Sequence, residues 1–563
     1  MAQGGAKSIS AAPSASVSDC RPVIIIGAGI SGLLLAQHLR QQGVPFRIFE
    51  RDADMNTRGV GWGLTLNWSL PMLRSLLRPE LLSRFAETYV DRQGIASGLV
   101  PRFPFYDLST GELKATTPPL PETVRARVTR ERLRKWLATD VDIEWGKAFK
   151  SFVETPNSCF DEAVNETGEG CSSVITVTFD DGSTCVGGLL VACDGSNSRV
   201  RKALFPELAQ ENLYRIPIAV MGVKMQLSTV QIAGMREQDA YFLQGTSSEN
   251  DSFVYMSVLD APGNSPDNPP DSYNLQICLS WPYRDGYLGR KKQVCVPDTQ
   301  EDRRRLFLEF AASYAEPFRS VMGAIADDTE IRSVDLSDWP PPKGLHTTGN
   351  AVLMGDSLHH MAMSRNSPDE ESWKGPGRVW RLLHGSAQAR FRSFGGWGWC
   401  LLCQASQGRA RCLAQRSAHM CYDSRQDSVE WPIADQSILD RGEGANHAIA
   451  DVVDFANHVT PLLVADNESA STAGNERQTA TSATADNLAA EEQAANGLER
   501  GILRHALDQY EDVVINRARP GVLASRRACL DAHEWARIGP ESPLLTKRQM
   551  DIVYDEVADR VVG

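Results

Sequence analysis

The sequence has no hydrophobic run that could cross a membrane, since no segment approaches the ~20 consecutive apolar residues of a spanning helix. Residues 1–20 are rich in Ala, Ser and Gly and have no apolar core, so we expect a disordered tail and not a secretory signal. The 12 cysteines show no regular spacing, which argues against a disulfide framework and favours a cytoplasmic location.

Positive charge is also in deficit. Lys and Arg number 58 against 71 for Asp and Glu, which gives a net charge of -13. Binding to nucleic acid needs clustered basic residues, so we expect no nucleic-acid partner. Hydrophobic residues make up 42% and charged residues 23%, as in an ordinary globular enzyme. The length of 563 residues allows two domains, or one large domain with insertions.

The strongest motif lies close to the N-terminus. Val23–Ile26 is an unbroken apolar run, which is typical of a parallel strand covered on both faces. It leads into a Gly-x-Gly-x-x-Gly turn formed by Gly27, Gly29 and Gly32, and a helical pattern follows. The next strand, Phe46–Glu50, ends on an acid. The segment therefore predicts a compact βαβ unit.

In this context the three glycines predict a dinucleotide-binding site. Gly27 permits the tight turn, Gly29 lets the backbone approach a diphosphate, and Gly32 allows the helix to pack on the strand. The helix N-terminus supplies free N–H groups and the positive end of its dipole. Glu50, with the adjoining Arg51, is the expected ribose contact. An acid there repels a 2′-phosphate, so the site favours FAD or NAD over NADP.

The rest of the chain alternates between strand-like and helical segments, with two interruptions of irregular composition. Strand patterns are dense from about 205 to 335, which suggests a second domain, and a helix is predicted at 502–519. We divide the chain into a disordered tail (1–20), the first part of the dinucleotide-binding domain (21–204), a β-sheet substrate-binding region (205–335), the second part of the dinucleotide-binding domain (336–365 and 441–464), an irregular insertion (366–440), a flexible loop (465–496) and a C-terminal helical region (497–563).

Three later motifs carry a resemblance to a known family. Asp194 opens an Asp-Gly turn after a buried strand, and Asp356 follows Gly355 at the end of another. A glycine-rich loop then opens an apolar helix and contains Gly442, Gly444, Ala445 and Asn446. Together with the glycine turn, these motifs resemble those of the group A flavoprotein monooxygenases, the para-hydroxybenzoate hydroxylase family.

The resemblance implies an α/β fold: a Rossmann-like FAD-binding domain with an interleaved β-sheet substrate domain. It places Asp194 close to both FAD and the nicotinamide donor, and Asp356 on the ribityl chain of the flavin. It places the loop 442–446 against the pyrimidine edge of the flavin. There, backbone N–H groups and the helix dipole would stabilise the negative charge of the reduced ring.

The same resemblance covers other parts of the chain. It implies that Arg130 lies near FAD and that Gly61 and Gly63 form a glycine-rich turn after the ribose acid. His360 and Met363 stand where many members of the family have prolines, so we transfer no catalytic role from those prolines.

For function, the resemblance implies that NADPH or NADH reduces FAD and that O2 supplies one oxygen atom to an aromatic or polycyclic small molecule. Hydroxylation or epoxidation of a secondary metabolite is the expected reaction. Tyr214 and Arg215 open a strand of the substrate region, and Arg215 is the candidate for a catalytic group acting on the substrate. The alternative is that Arg215 forms an ordinary surface pair.

The insertion 366–440 separates two motifs that are close neighbours in the family. It has no hydrophobic period and contains five tryptophans. An intervening sequence translated from a faulty gene model is the favoured interpretation, and a surface loop is the second. A zinc site is the third, based on Cys400 and Cys403 with Cys412 and Cys421 nearby. Only one Cys-x-x-Cys pair is present, so we expect no metal.

Two other functions remain open at this point. An inactive FAD-fold protein would result if the insertion split the flavin-binding motif. A flavin dehydrogenase or oxidase would form product without inserting oxygen.

Overall fold

The computed structural model of the chain describes residues 21–57, 63–156, 173–266, 268–361, 443–465, 485–539 and 542–545. The predicted tail and the insertion 366–440, with its tryptophans and cysteines, lie outside the described residues.

The described strands and helices follow one another in mixed order along the chain. The strands are β1 (Val23–Ile26), β2 (Phe46–Glu50), β3 (Gly63–Leu66), β4 (Phe105–Asp107), β5 (Leu113–Ala115), β6 (Ala126–Thr129), β7 (Ile143–Trp145), β8 (Phe149–Pro156), β9 (Ser173–Phe179), β10 (Thr184–Gly187), β11 (Leu189–Ala192), β12 (Tyr214–Arg215), β13 (Ile218–Ser228), β14 (Phe242–Thr246), β15 (Phe253–Asp260), β16 (Ser272–Pro282), β17 (Ile331–Val334), β18 (Ser337–Asp338) and β19 (Ala351–Leu353). The helices are α1 (Ile30–Gln41), α2 (Leu70–Ser75), α3 (Pro79–Leu82), α4 (Arg92–Ala96), α5 (Arg130–Leu137), α6 (Arg199–Leu204), α7 (Leu208–Glu211), α8 (Ala233–Gln238), α9 (Gln300–Ala312), α10 (Phe318–Gly323), α11 (Asp356–His359), α12 (Glu443–His458) and α13 (Ala485–Asp531).

A five-stranded parallel sheet organises the first domain, in the order β19-β11-β1-β2-β7. Every residue of β1 and β11 is buried, because these aliphatic runs are covered on both faces. Helix α1 packs against α5 and α12, and α12 packs in turn against α13. The strands are parallel, so the segments that follow β1, β11 and β19 meet at one edge of the sheet. Open α/β sheets bind their ligands at this edge.

A seven-stranded sheet organises the second domain, in the order β17-β13-β16-β15-β14-β4-β5. The long strands β13, β15 and β16 are antiparallel neighbours, whereas β4 joins β14 in parallel. The strands β4 and β5 come from the part of the chain that the sequence assigns to the first domain, so the two domains interleave. Trp281 stacks on Phe310 of α9 at 5.2 Å in the core beside this sheet.

The two-stranded ribbon β3–β6 connects the domains. Arg127 on β6 donates hydrogen bonds to Thr65 of β3 at 3.0 Å and to the hydroxyl of Tyr255 on β15 at 2.7 Å. The N–H of Gly63 donates to Oε1 of Gln276 on β16 at 3.2 Å. These bonds join the ribbon to one face of the seven-stranded sheet, on the side of the first domain.

The helix α13 begins at Ala485, earlier than the predicted start at 502, so the end of the predicted flexible loop 465–496 is helical. The segment 485–500 is rich in Ala, Glu, Gln and Leu, which favour helices. Farther along, Tyr510 donates to the carbonyl of Leu353 in β19, whereas Ala528 and Cys529 lie in the core beside the seven-stranded sheet. The helix therefore contacts both domains. Among the described residues, no helix has both the length and the apolar character that a membrane crossing requires.

Candidate active site

The glycine turn after β1 has the geometry that its residues predict. Gly27 has a φ of 106°, a left-handed value that favours glycine, and a Cβ there would overlap the carbonyl oxygen of Cys193. A Cβ on Gly32 would overlap the carbonyl oxygen of Gly27, so this glycine lets α1 approach the turn. At Gly29 the nearest atom to a Cβ would be 4.0 Å away. Packing explains Gly27 and Gly32, whereas Gly29 leaves open space beside the N-terminus of α1.

Glu50 turns its carboxylate back toward this turn. Its Oε2 accepts the backbone N–H of Ala28 at 2.9 Å, and its Oε1 accepts that of Asp52 at 3.1 Å. Arg134 on α5 lies 3.4 Å from Oε2 and also donates to the carbonyl of Ala28 at 2.6 Å. The carboxylate is thus fixed at the ligand-binding edge of the sheet. Sequence reasoning missed Arg134, although it lies one helical turn after Arg130 and shares its face of α5.

An open cavity lies over the ends of β1, β2 and β11. Its lining brings together six of the residues predicted to bind the cofactor: Gly27, Gly29, Glu50, Arg51, Arg130 and Asp194. Lys147 and Arg199 add two further cationic side chains at the same cavity. Each of them is paired with an acid, Lys147 with Asp181 and Arg199 with Asp180, at 2.6 Å.

Asp194 lies at this cavity with one carboxylate oxygen engaged and the other not. Its Oδ2 accepts the backbone N–H groups of Arg199 at 2.7 Å and Val200 at 3.2 Å, which caps α6. Its Oδ1 is buried and has no partner among the described residues. Buried carboxylate oxygens normally have a partner. A ligand in the cavity would supply one, as expected if Asp194 faces the cofactor.

A second cavity adjoins the first, since Gly29, Arg130 and Cys193 line both. Its other lining residues come from the glycine turn, the β3–β6 ribbon and the two motifs predicted to bind the flavin: Ser31, Leu64, Asp356, Gly444, Ala445 and Ala448 among them. Together the two cavities form an elongated site that runs from Glu50 to the start of α12.

The insertion does not separate the two flavin motifs in space. Asp356 and Gly444 line the same cavity, although residues 366–440 lie between them in the sequence. The turn before Asp356 is tight, because Gly355 has a φ of 65° and a Cβ there would overlap Oγ of Ser31 on α1. Sequence reasoning missed Ser31, which occupies one of the variable positions of the glycine turn.

Asn446 has a different environment from the neighbouring motif residues. Its Oδ1 accepts the N–H of Asn67 at 3.1 Å and the hydroxyl of Ser69 at 2.6 Å, and its Nδ2 donates to the carbonyl of Thr65 at 3.1 Å. Its side chain is fully buried and does not line either cavity. These bonds fix the start of α12 against β3 and the segment that follows it. Asn446 therefore positions the start of α12, which lines the second cavity, without lining the cavity itself.

The remaining predicted residues are spread more widely. Gly61 and Gly442 lie outside the described residues, and Gly63 begins β3, where a Cβ would overlap the guanidinium of Arg127. Arg215 is exposed on β12, pairs with Ser337 of β18 in a two-stranded ribbon, and lines neither cavity. Its action on a substrate stays a prediction.

Comparison with known proteins identifies the family. Residues 21–258 match the model of an FAD binding domain. A probable FAD-dependent monooxygenase of Arthroderma benhamiae is 32% identical over 93% of this chain and 95% of its own length. The FAD-dependent monooxygenase dbaB of Emericella nidulans is 34% identical over 62% of this chain and 83% of its own length.

Solved structures share the fold at low sequence identity. The 2,6-dihydroxypyridine-3-hydroxylase from Arthrobacter nicotinovorans superposes with a TM-score of 0.54 at 13% identity, over 95% of this chain and 99% of that one. HpxO of Klebsiella pneumoniae, complexed with FAD and uric acid, superposes with a TM-score of 0.51 at 15% identity, over 92% of this chain and 90% of that one. The predicted α/β architecture is confirmed, and the chain belongs to the group A FAD-dependent monooxygenases of the type found in fungal secondary metabolism.

Proposed function

We propose that this FAD-dependent monooxygenase uses NADPH or NADH and O2 to hydroxylate or epoxidise an aromatic or polycyclic small molecule. The observation that carries the proposal is the joined pair of cavities, with Glu50 at one end and the first turn of α12 at the other. A ribose-binding acid and a helix N-terminus at opposite ends of one site suit the two halves of FAD.

The residues of the site fit FAD along its length. The N-terminus of α1 and the guanidinium of Arg130 would hold the diphosphate, and Glu50 the adenosine ribose. Asp356 would accept hydrogen bonds from the ribityl hydroxyls. When bound, FAD takes up the reducing equivalents of the nicotinamide and activates dioxygen. The backbone N–H groups at the start of α12 would stabilise negative charge on the flavin ring.

One buried face of the seven-stranded sheet, turned toward the β3–β6 ribbon, is where we place the substrate. Strand pairing places Phe242, Gln244, Tyr255 and Gln276 on this face. The rings of Phe242 and Tyr255 are 4.8 Å apart in an edge-to-face contact. The side-chain amide of Gln244 and Nε2 of Gln276 are buried without a partner among the described residues. An aromatic ring with oxygen substituents would contact the rings and satisfy both amides.

Lys224 adds a cation to this face, where it is paired with Gln276 across β13 and β16. Burial, with the nearby charge of Arg332, lowers the pKa of Lys224 to about 8. A lysine with a pKa of about 8 can donate a hydrogen bond to a phenol as the ammonium ion and can also pair with a phenolate. A phenolic substrate therefore suits this face.

The test uses the purified full-length chain, FAD, labelled dioxygen and a panel of hydroxynaphthalenes as probe substrates. We expect reduction of bound FAD by NADPH or NADH under anaerobic conditions, and one labelled oxygen atom in the product after air is replaced by labelled dioxygen. Product without label would instead show an oxidase or a dehydrogenase. A folded chain that binds no FAD unless residues 366–440 are deleted would support the inactive alternative.

A further inference from the structure

A buried carboxylate lies behind the turn that carries Asp356. Asp451 is on α12, and its side chain has 0% exposed surface. Its Oδ2 accepts the backbone N–H of Gly355 at 2.7 Å and lies 2.7 Å from Nε2 of His359. Its Oδ1 accepts a hydrogen bond from Arg517 of α13 at 2.7 Å. One carboxylate therefore joins the Gly355–Asp356 turn, α12 and the C-terminal helix.

Neighbouring groups stabilise the negative charge of this carboxylate. Burial alone would raise the pKa of Asp451, but the charges and hydrogen bonds of His359 and Arg517 outweigh burial and hold the pKa well below its usual range. The hydrogen bond from Gly355 is consequently charge-assisted, and such bonds are stronger than those between neutral groups. Arg517 is shared, since it also binds Asp454 at 2.7 Å.

The turn itself is held on every side. Gly355 is in the left-handed region, and Oγ of Ser31 occupies the place where a Cβ would lie. On the far side, Arg201 donates to the carbonyl of Asp356 at 3.3 Å and to that of Ser357 at 2.6 Å. The N–H of Gly355 donates to Asp451.

We propose that Asp451 is a positioning residue for FAD, which sets the conformation of the Gly355–Asp356 turn and so the direction in which the Asp356 carboxylate enters the cavity. Arg517 donates to Asp451 from α13, so the orientation of the Asp451 carboxylate depends on the placement of this C-terminal helix. The inference rests on the proposed placement of the ribityl chain at Asp356.

The test compares Asp451→Ala with Asp454→Ala, a matched control on the same helix. Both substitutions remove one acidic partner of Arg517, but only the first leaves the N–H of Gly355 without its acceptor. We expect Asp451→Ala to raise the dissociation constant for FAD about 10- to 100-fold, and Asp454→Ala to change it by less than about 3-fold. Amide hydrogen exchange in the apoprotein should quicken over residues 351–361 in the first variant alone.

The outcomes are distinguishable. Equal FAD dissociation constants for the two variants, or unchanged exchange over residues 351–361, would overturn the inference. A wild-type chain that binds no FAD would instead contradict the proposed function. If Asp451→Ala does not fold, Asp451→Asn is compared with Asp454→Asn by the same criteria. The amide is neutral and has one acceptor oxygen in place of two, so the bond to Gly355 is lost or is no longer charge-assisted, and FAD binding should weaken in either case.

Discussion

The substitution Gly29→Ala tests whether the glycine turn binds the cofactor or only serves packing. Gly29 has a φ of -80°, which alanine adopts freely, and its Cβ would meet no atom closer than 4.0 Å. The apoprotein should therefore lose no more than about 1 kcal/mol of stability, the difference between glycine and alanine at a helix N-cap. The new methyl group would project into the space reserved for the diphosphate, which should weaken FAD binding about 10- to 100-fold.

Gly32→Ala is the matched control in the same motif. Its Cβ would overlap the carbonyl oxygen of Gly27, a backbone atom that cannot move aside as a flexible side chain would. We expect this variant to lose about 3 kcal/mol of stability. Urea denaturation of both apoproteins and titration with FAD, followed by quenching of flavin fluorescence, give the two quantities. The reasoning is refuted if Gly29→Ala destabilises the apoprotein as much as Gly32→Ala and leaves the FAD dissociation constant unchanged.

Other predictions address the rest of the site and its support. Asp356→Ala should raise the FAD dissociation constant about 10-fold; an unchanged constant would remove Asp356 from the cofactor site. Asn446→Ala should cost about 1–3 kcal/mol of apoprotein stability in urea denaturation, because the N–H of Asn67 and the carbonyl of Thr65 lose their partner. A wild-type urea midpoint would contradict this role. Burial lowers the pKa of His38 and of His533 to about 4, below the unfolded value of about 6.5. The two neutral histidines therefore leave the stability of the folded protein intact above pH ~6.5, and this stability is progressively lost as the pH falls toward 4. Urea midpoints at pH 7 and 5 should therefore differ in the wild type, and differ less in His533→Gln; equal pH dependence in the two proteins would count against this assignment.

The features that sequence reasoning predicted well are those with local causes. The βαβ unit follows from an apolar run, a glycine turn and a helical period, and its steric requirements at Gly27 and Gly32 involve atoms close to the turn. The acid at the end of β2 was recognisable for the same reason. The sequence pattern also predicts strands at 217–227 and 273–281 and a helix at 131–138, and β13, β16 and α5 differ from these bounds by one residue at each end.

The features that were missed depend on contacts between distant segments. Asp451 reaches Gly355 over 96 positions, and Arg517 reaches Asp451 over 66, so no local pattern marks either of them. The pairing of β4 with β14 also joins two segments that lie far apart in the sequence. The early start of α13 is different, because the helix-forming composition of 485–500 was visible but was assigned to a loop.

The central claim is that FAD occupies the joined cavities of the chain, with residues 366–440 present. Titration of FAD into the full-length apoprotein, followed by flavin fluorescence and by equilibrium dialysis, tests it most directly. We expect one FAD to bind per chain, and we expect Gly29→Ala to weaken this binding while the protein stays folded. A folded wild-type chain that leaves FAD fluorescence unchanged and retains no flavin on dialysis would contradict it.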